Sequence, residues 1–305
     1  MRPKLSIVMP AYNHQQLVGE AIESVLIQTF GDFEFIIIDD GSTDNTADVI
    51  NSYKDERIQY HYQQNQDAYN AINNGMAKVR GEFIAILNSD DVYLPNRFER
   101  MFAFQEEHLA QCLFTDVIPI SDESEEFTDP DFGWNLWHQK NRDKYFELND
   151  IYAAFLHGNF MVTTSNLLLT AKAAKKVGSF SSLRYLHDYD FIFRVMLAFP
   201  KHTFYMHDEK LLKYRIHSGN TLSEAAITGR EQDQRVIRKY LLAKFPEENM
   251  LQIETGINRL IALEHELLEV KQHLVADDGA AQKVLKHSST IHGKIRRFFR
   301  NLVRR

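Results

Sequence analysis

The stretch Phe83-Ile-Ala-Ile-Leu-Asn-Ser-Asp-Asp91 constrains the fold of this chain more than any other. Five consecutive apolar residues are too few for a helix, and with Gly81 before them and Pro95 after they predict a buried strand. Such a strand delivers Asn88, Ser89, Asp90 and Asp91 to its C-terminal end, the edge at which open α/β sheets bind ligands. Adjacent carboxylates repel, and desolvation raises the cost unless a cation sits between them. A hard divalent cation with oxygen ligands is one occupant. A strand followed by a polar, helix-capping loop is the other reading, and this stretch alone does not choose.

The preceding residues repeat the pattern. Leu5-Ser-Ile-Val-Met9 predicts a first strand, and apolar positions at helical spacing over 15–28 predict a helix. Phe33-Glu-Phe-Ile-Ile-Ile38 predicts a second buried strand, ending in Asp39-Asp40-Gly41-Ser42-Thr43-Asp44 and followed by a helix to about Tyr53. Ile58–Tyr62 alternates as a third strand, and 68–79 read as a helix. Four strand–helix alternations imply a mostly parallel, Rossmann-like α/β sheet flanked by helices. Two of its strands then present acid pairs, Asp39-Asp40 and Asp90-Asp91, at one edge. Neither a Walker A sequence nor G-x-G-x-x-G follows the first strand, which points away from NTPases and dehydrogenases and toward phosphates held by a metal.

Later segments are less regular. The pattern predicts a helix over 95–109, a short strand Cys112–Thr115, an acidic turn-rich loop over 121–131, a strand and helix within 161–177, a helix opened by His187-Asp188-Tyr189-Asp190, and a strand Lys210–His217. Trp134 and Trp137 either stack on a sugar or anchor a loop on the core, the latter being the commoner use. From about 224 the chain reads as helical, with Ile253, Ile257, Leu260, Leu263, Leu267, Val270 and Leu274 near coiled-coil spacing, suited to packing on the body or to homodimer formation. A Gly/Ala/Ser-containing linker spans 276–290, and 291–305 read as a basic amphipathic helix suited to an anionic membrane surface, with a protein- or nucleic-acid-binding tail as the competing reading.

Charge is consistent with this division. Of 35 Lys/Arg, six lie in 291–305, leaving 29 against 42 acids, a net −13, in 1–290. No broad basic face for nucleic acid is expected on that body. The single cysteine, Cys112, fits a reducing compartment. Met1-Arg-Pro-Lys leads straight into a strand, so no signal peptide is expected, and no apolar run approaches the roughly 20 residues that span a bilayer.

Ser6-Ile-Val-Met-Pro-Ala-Tyr-Asn13, Ile38-Asp-Asp-Gly-Ser-Thr-Asp44, Arg80-Gly-Glu-Phe-Ile-Ala-Ile-Leu-Asn-Ser-Asp-Asp91 and Tyr214-Arg-Ile-His217 together resemble the inverting family 2 glycosyltransferases of GT-A fold, of the bacterial cell-surface polysaccharide (O-antigen or capsule) type. The resemblance is close over 4–104 and looser to about 222. It implies a nucleotide-sugar-binding half over 1–104 and an acceptor-binding half over 105–222, with a C-terminal helical extension over 223–275. Pro10 and Tyr12 would border the base, with Asp40 or Asp39 accepting from uracil, and Asn73 would help hold the donor. The family's D-x-D motif would be Ser89-Asp90-Asp91, with Asp91 on Mn²⁺ or Mg²⁺, Asp90 on ribose or sugar, and Ser89 replacing an acid. Asp188 would be the catalytic base, with His187 in place of a glutamate, and Asp190 would support the helix start. His217 would close over the diphosphate or ligate the metal, and Arg215 would offset diphosphate charge. The implied protein is a cytoplasmic enzyme, peripheral to the inner face of the plasma membrane, that moves a sugar from a UDP-sugar to a glycan or lipid-linked acceptor. Transfer to a polyprenyl phosphate and a non-catalytic sugar-nucleotide-binding scaffold are the alternatives.

Overall fold

The computed structural model describes residues 2–217 and 228–275, with the side chains of 228–232 and 267–275 left aside. The linker 276–290 and the basic segment 291–305 lie outside the described residues. Four strands form the first half of the sheet: β1 (Leu5–Ala11), β2 (Phe33–Asp39), β3 (Ile58–Tyr62) and β4 (Phe83–Ile86). They lie in the order β3-β2-β1-β4, and every pairing among them is parallel. Helices α1 (Val18–Leu26), α2 (Thr46–Ser52) and α3 (Ala68–Met76) make the crossovers. Every residue of β1 and β2 is buried, as expected of parallel strands covered on both faces.

The pleat sorts the apolar residues. Phe35, Ile37, Phe83, Ala85 and Leu87 enter one hydrophobic cluster, whereas Ile36 and Ile38 join a second and Ile84 and Ile86 a third. Successive strand residues point to opposite faces, so one run supplies both layers. Helix α3 lies close on the sheet through Gly75, where a Cβ would sit 2.3 Å from Val8 Cγ1.

The second half of the sheet is mixed. Strands β5 (Val92–Tyr93), β6 (Cys112–Ile120), β7 (Leu168–Thr170) and β8 (Thr203–Arg215) extend it in the order β4-β7-β6-β8-β5. β7 runs antiparallel to β4 and β6, β6 and β8 are parallel, and β5 is antiparallel to β8. Both β6 and β8 are longer than their sequence patterns suggested. A register shift at Thr115–Val117 accounts for the broken alternation.

Helix α4 (Arg97–His108) falls where expected, but α5 (Gly133–Leu148) and α6 (Ile151–Phe155) occupy sequence with no readable period. Arg142 fastens α5 to the sheet, donating to Tyr205 Oη at 2.9 Å and pairing with buried Asp116 at 2.9 Å. Trp134 is an anchor, stacked between His138 and Tyr214, while Trp137 stays exposed. Two short helices then frame the far side of the sheet edge, α7 (Ala171–Val177) and the longer α8 (His187–Ala198).

The chain divides into two compact units, Met1–Tyr240 and one beginning at Leu241. Most of helix Thr228–Leu242 therefore goes with the first unit, although the extension was expected to start at 223. Asp190 fixes it: Lys239 Nζ and Tyr240 Oη donate to its carboxylate at 2.8 and 2.7 Å, and Ser181 and Arg194 complete the set. Asp190 thus anchors a neighbouring helix rather than simply starting its own. In the second unit, Glu247–Val275 is one helix on which Ile253, Ile257 and Leu260 are half-buried and Leu263 is exposed. No described helix is long and apolar enough to cross a membrane.

Candidate active site

The C-terminal ends of β1, β2 and β4 meet at one edge. Asp40 N donates to Ala11 O at 2.8 Å, and Leu87 N to Val8 O at 2.9 Å, so the two acid-bearing loops flank the Pro10–His14 loop. A cleft of about 530 Å³ opens there. That size suits a ligand larger than a single monosaccharide. Pro10, Tyr12, Asp40, Asp90, His187 and Asp188 line it, bringing six of the expected site residues together.

At the β2 end, the two aspartates divide. Asp39 is enclosed, accepting from Tyr60 Oη at 2.9 Å and from Ser42 N at 2.9 Å, and so holds the Gly41 turn. Gly41 takes φ +79°, and a Cβ there would lie 2.8 Å from Asn65 N. Asp40 faces the cleft, with Gln63 and Gln66 donating to one of its oxygens at 2.6 and 2.9 Å. Burial pushes its carboxyl upward despite those bonds. Tyr12 stands half-exposed at the mouth.

At the β4 end, the acids divide the same way, and here the expectation is corrected. Asp91, expected to hold the cation, is buried behind the cleft. Ser165 Oγ at 2.5 Å and Thr163 Oγ1 at 3.3 Å donate to one oxygen, and Arg215 N at 3.1 Å donates to the other. Burial and the neighbouring Asp90 carboxylate push its carboxyl well up, and both of its oxygens are already taken by these donors. Asp90 faces the cleft instead. His217 Nε2 lies 3.1 Å from its Oδ2, and His14 Nδ1 lies 2.8 Å from Ser89 Oγ. His14, Asp90 and His217 each offer a ligand atom within 4.8 Å of the others. Burial works against ionisation of Asp90, but the histidines outweigh it and its carboxyl sits low. The D-x-D frame therefore slides by one residue, to Asn88-Ser89-Asp90. Asn88 itself bonds Thr163 and Thr164 at 3.0 and 3.1 Å.

Two imidazoles and a carboxylate, with further positions for phosphate oxygens, fit a divalent cation such as Mn²⁺. His14 was not singled out in the sequence. Only its meeting with Asp90 and His217, across more than two hundred residues of chain, marks it.

Arg215 is a second correction. Its side chain is fully enclosed, and its donors go to Asp90 O (2.8 Å), Ser121 O (2.7 Å), Asp122 O (2.9 Å), Ser124 Oγ (3.1 Å) and Glu20 Oε2 (2.5 Å). It fastens β8 to α1 and to the acidic 121–131 loop, which makes it a strap rather than a contact for diphosphate. Asn73 likewise does not line the cleft. Its amide exchanges two hydrogen bonds with the Phe180 backbone, at 2.9 and 2.8 Å, bracing α3 against the loop before α8.

Asp188, which lines the same cleft, opens α8 and is nearly buried. Its Oδ1 accepts from Tyr189 N at 2.7 Å and its Oδ2 from Asn159 Nδ2 at 2.9 Å. Burial pushes its carboxyl up, partly offset by His187 and by these bonds. A carboxylate raised toward neutrality is a stronger base while still ionised. His187 Nδ1 lies 3.2 Å from Leu183 O. A carbonyl only accepts, so Nδ1 carries a hydrogen there.

An α/β sheet with a nucleotide-sized acidic cleft at its C-terminal edge, a cation-type cluster at its centre and a buried carboxylate facing it defines the GT-A class of transferases. The family described as Glycosyl transferase family 2 matches residues 6–166. An uncharacterized glycosyltransferase of Rickettsia typhi is 29% identical over 271 residues, 85% of this chain and 78% of its own. Another from Methanocaldococcus jannaschii is 31% identical over 220 residues, 70% of this chain and 71% of its own. Among solved structures, S. aureus TarS in complex with UDP-GlcNAc superposes with a TM-score of 0.61 at 18% identity, covering 82% of this chain and 70% of that one. The mannosyltransferase PcManGT from Pyrobaculum calidifontis, in complex with GDP-Man and Mn²⁺, gives 0.58 at 13%, covering 81% and 66%. The chain belongs to glycosyl transferase family 2 and has the GT-A fold.

Proposed function

We propose that this chain is a metal-dependent, inverting glycosyltransferase that moves a hexosyl group from a nucleotide-sugar, UDP-linked by preference, to a glycan or lipid-linked saccharide of a surface polysaccharide. One observation carries the metal and donor reading. The cleft is lined by Asp40, Asp67, Asp90 and Asp188, with Arg184 the one permanently cationic side chain among its described lining residues. A diphosphate donor would be repelled by such a site unless a divalent cation accompanied it. TarS with UDP-GlcNAc and PcManGT with GDP-Man and Mn²⁺ support the same choice on the same fold.

In this reading Pro10 and Tyr12 border the base and Asp40 accepts its N–H. Asp90, His217 and His14 hold Mn²⁺ or Mg²⁺. When bound, the cation supplies charge neutralisation for the departing diphosphate. Asp188 takes the proton of the acceptor hydroxyl, and Tyr189 N–H and Asn159 hold the carboxylate in place for it. A single displacement needs no nucleophilic carboxylate and inverts the anomeric centre.

The test is a panel of nucleotide-sugars scored by thermal shift with and without Mn²⁺, since a ligand selective for the folded state raises the melting temperature. A Mn²⁺-dependent rise with one nucleotide series is expected. No response to any of them would remove the donor reading. Peripheral association with the inner face of the plasma membrane through 291–305 rests on the six Lys/Arg of that segment among apolar residues. Deleting 291–305 should abolish flotation with anionic vesicles; unchanged flotation would rule that segment out.

A further inference from the structure

The segment 159–165 runs from one end of the chemistry to the other. Asn159 donates to Asp188, while Thr163 and Ser165 donate to Asp91, and Thr163 also receives a bond from Asn88. Midway, Val162 lines the cleft. Its φ is +77°, and Thr163 N donates to Met161 O across it at 3.0 Å. That is a γ-turn of the left-handed kind, rare for any residue and least tolerated by a β-branched one. Such strain persists only where surrounding bonds impose it. They do so here: Met161 O also accepts from Asn166 Nδ2, and Thr163 Oγ1 is engaged by Asn88, Ser165 and Asp91. Val162 is nearly buried, packed in the hydrophobic core on one side and lining the cleft on the other, where the remaining aliphatic lining residues are Pro10 and Ala11 at the end of β1 and Ala68 at the start of α3.

In a displacement the transferred sugar sits between the base and the leaving diphosphate. We propose that Val162, held in this strained turn between Asp188 and the Asp90 cluster, is the specificity-determining wall of the donor-sugar subsite, packing on the C–H face of a nucleotide-linked pyranose. The proposal rests on the donor reading above. The strain places a branched apolar side chain where a relaxed backbone would not put one.

Two variants test it, Val162→Ala and Val162→Gly. Both remove the wall, but only glycine accepts φ +77° without strain. Alanine normally stabilises relative to glycine; here Val162→Gly should melt above Val162→Ala, by about 2 °C. Calorimetry in Mn²⁺ then gives Kd for UDP, UDP-GlcNAc, UDP-glucose, GDP and GDP-mannose with each protein. For the nucleotide series that binds, both variants should change the ratio of nucleotide-sugar to free-diphosphate affinity by about ten-fold while leaving the diphosphate affinity in place. If nucleotides bind the wild type and that ratio is the same in all three proteins, the wall assignment is wrong and the donor reading stands. If no nucleotide binds the wild type, both fall. A Val162→Ala protein that melts above Val162→Gly would overturn the strained turn itself.

Discussion

Asn159 Nδ2 donates to Asp188 Oδ2 across 2.9 Å, and the side-chain oxygen of Asn159, Oδ1, is buried without a hydrogen-bond partner among the described residues. The amide therefore spends its donor on the carboxylate. A hydrogen bond to the charged form favours ionisation. Replacing Asn159 with alanine should raise the Asp188 carboxyl further than burial already does, moving the acidic limb of the kcat profile to higher pH. Rates should fall more in acidic than in alkaline buffer. A uniform loss at every pH would instead mark Asn159 as a structural residue.

Asp188→Asn keeps the shape and the bond from Tyr189 N but removes the basic oxygen. Transfer should drop by about 10²- to 10⁴-fold, the usual contribution of a positioned base, while donor affinity holds. Turnover measured as nucleoside diphosphate release, alongside calorimetric donor binding, separates the two. Undiminished turnover would remove Asp188 from the chemistry.

The two adjacent acids of the loop after β4 give opposite expectations. Asp90→Asn should lose Mn²⁺-induced thermal stabilisation, as should His217→Gln, because both contribute to the cluster with His14. Asp91→Asn should keep that stabilisation, its carboxyl being committed to Ser165, Thr163 and Arg215 N. For a site saturated at a hundred times Kd the wild-type effect is about 2.7 kcal/mol. The reverse pattern would return Asp91 to the metal.

Asp190 carries stability rather than chemistry. Burial alone would raise its carboxyl, but the bonds from Lys239, Tyr240 and Ser181 and the charge of Arg194 hold it at about 2 against an ordinary 3.8. A depressed carboxyl stabilises fully above its unfolded value, so this contribution is intact above about pH 4 and is lost as pH falls toward 2. Asp190→Ala strands buried partners and should cost about 3–5 kcal/mol. Urea unfolding followed by circular dichroism at neutral pH, compared with wild type near pH 3, checks both size and sign.

The sequence alone determined the first half of the sheet, because each buried run there is short, apolar and punctuated by Gly, Pro or paired acids. It also determined the edge at which the cleft opens, from the placement of Asp39-Asp40 and Asp90-Asp91, and the position of Asp188 at a helix start. Tertiary structure decided which acid of each pair meets the cleft. Adjacent residues at a strand end point in different directions, and no spacing rule says that Asp40 and Asp90 face out while Asp39 and Asp91 are bonded within. It decided the role of Arg215, whose partners Glu20 and Ser121 are far away in sequence, and it brought His14 to Asp90. It also decided Val162 and Asn159, whose segment has no periodic signal. Its conformation is imposed by hydrogen bonds with the loop after β4 and with the start of α8, and not by local preference. Propensity and pattern are properties of neighbours along the chain, whereas a strained turn and a His/Asp cluster exist only where distant segments hold each other in place.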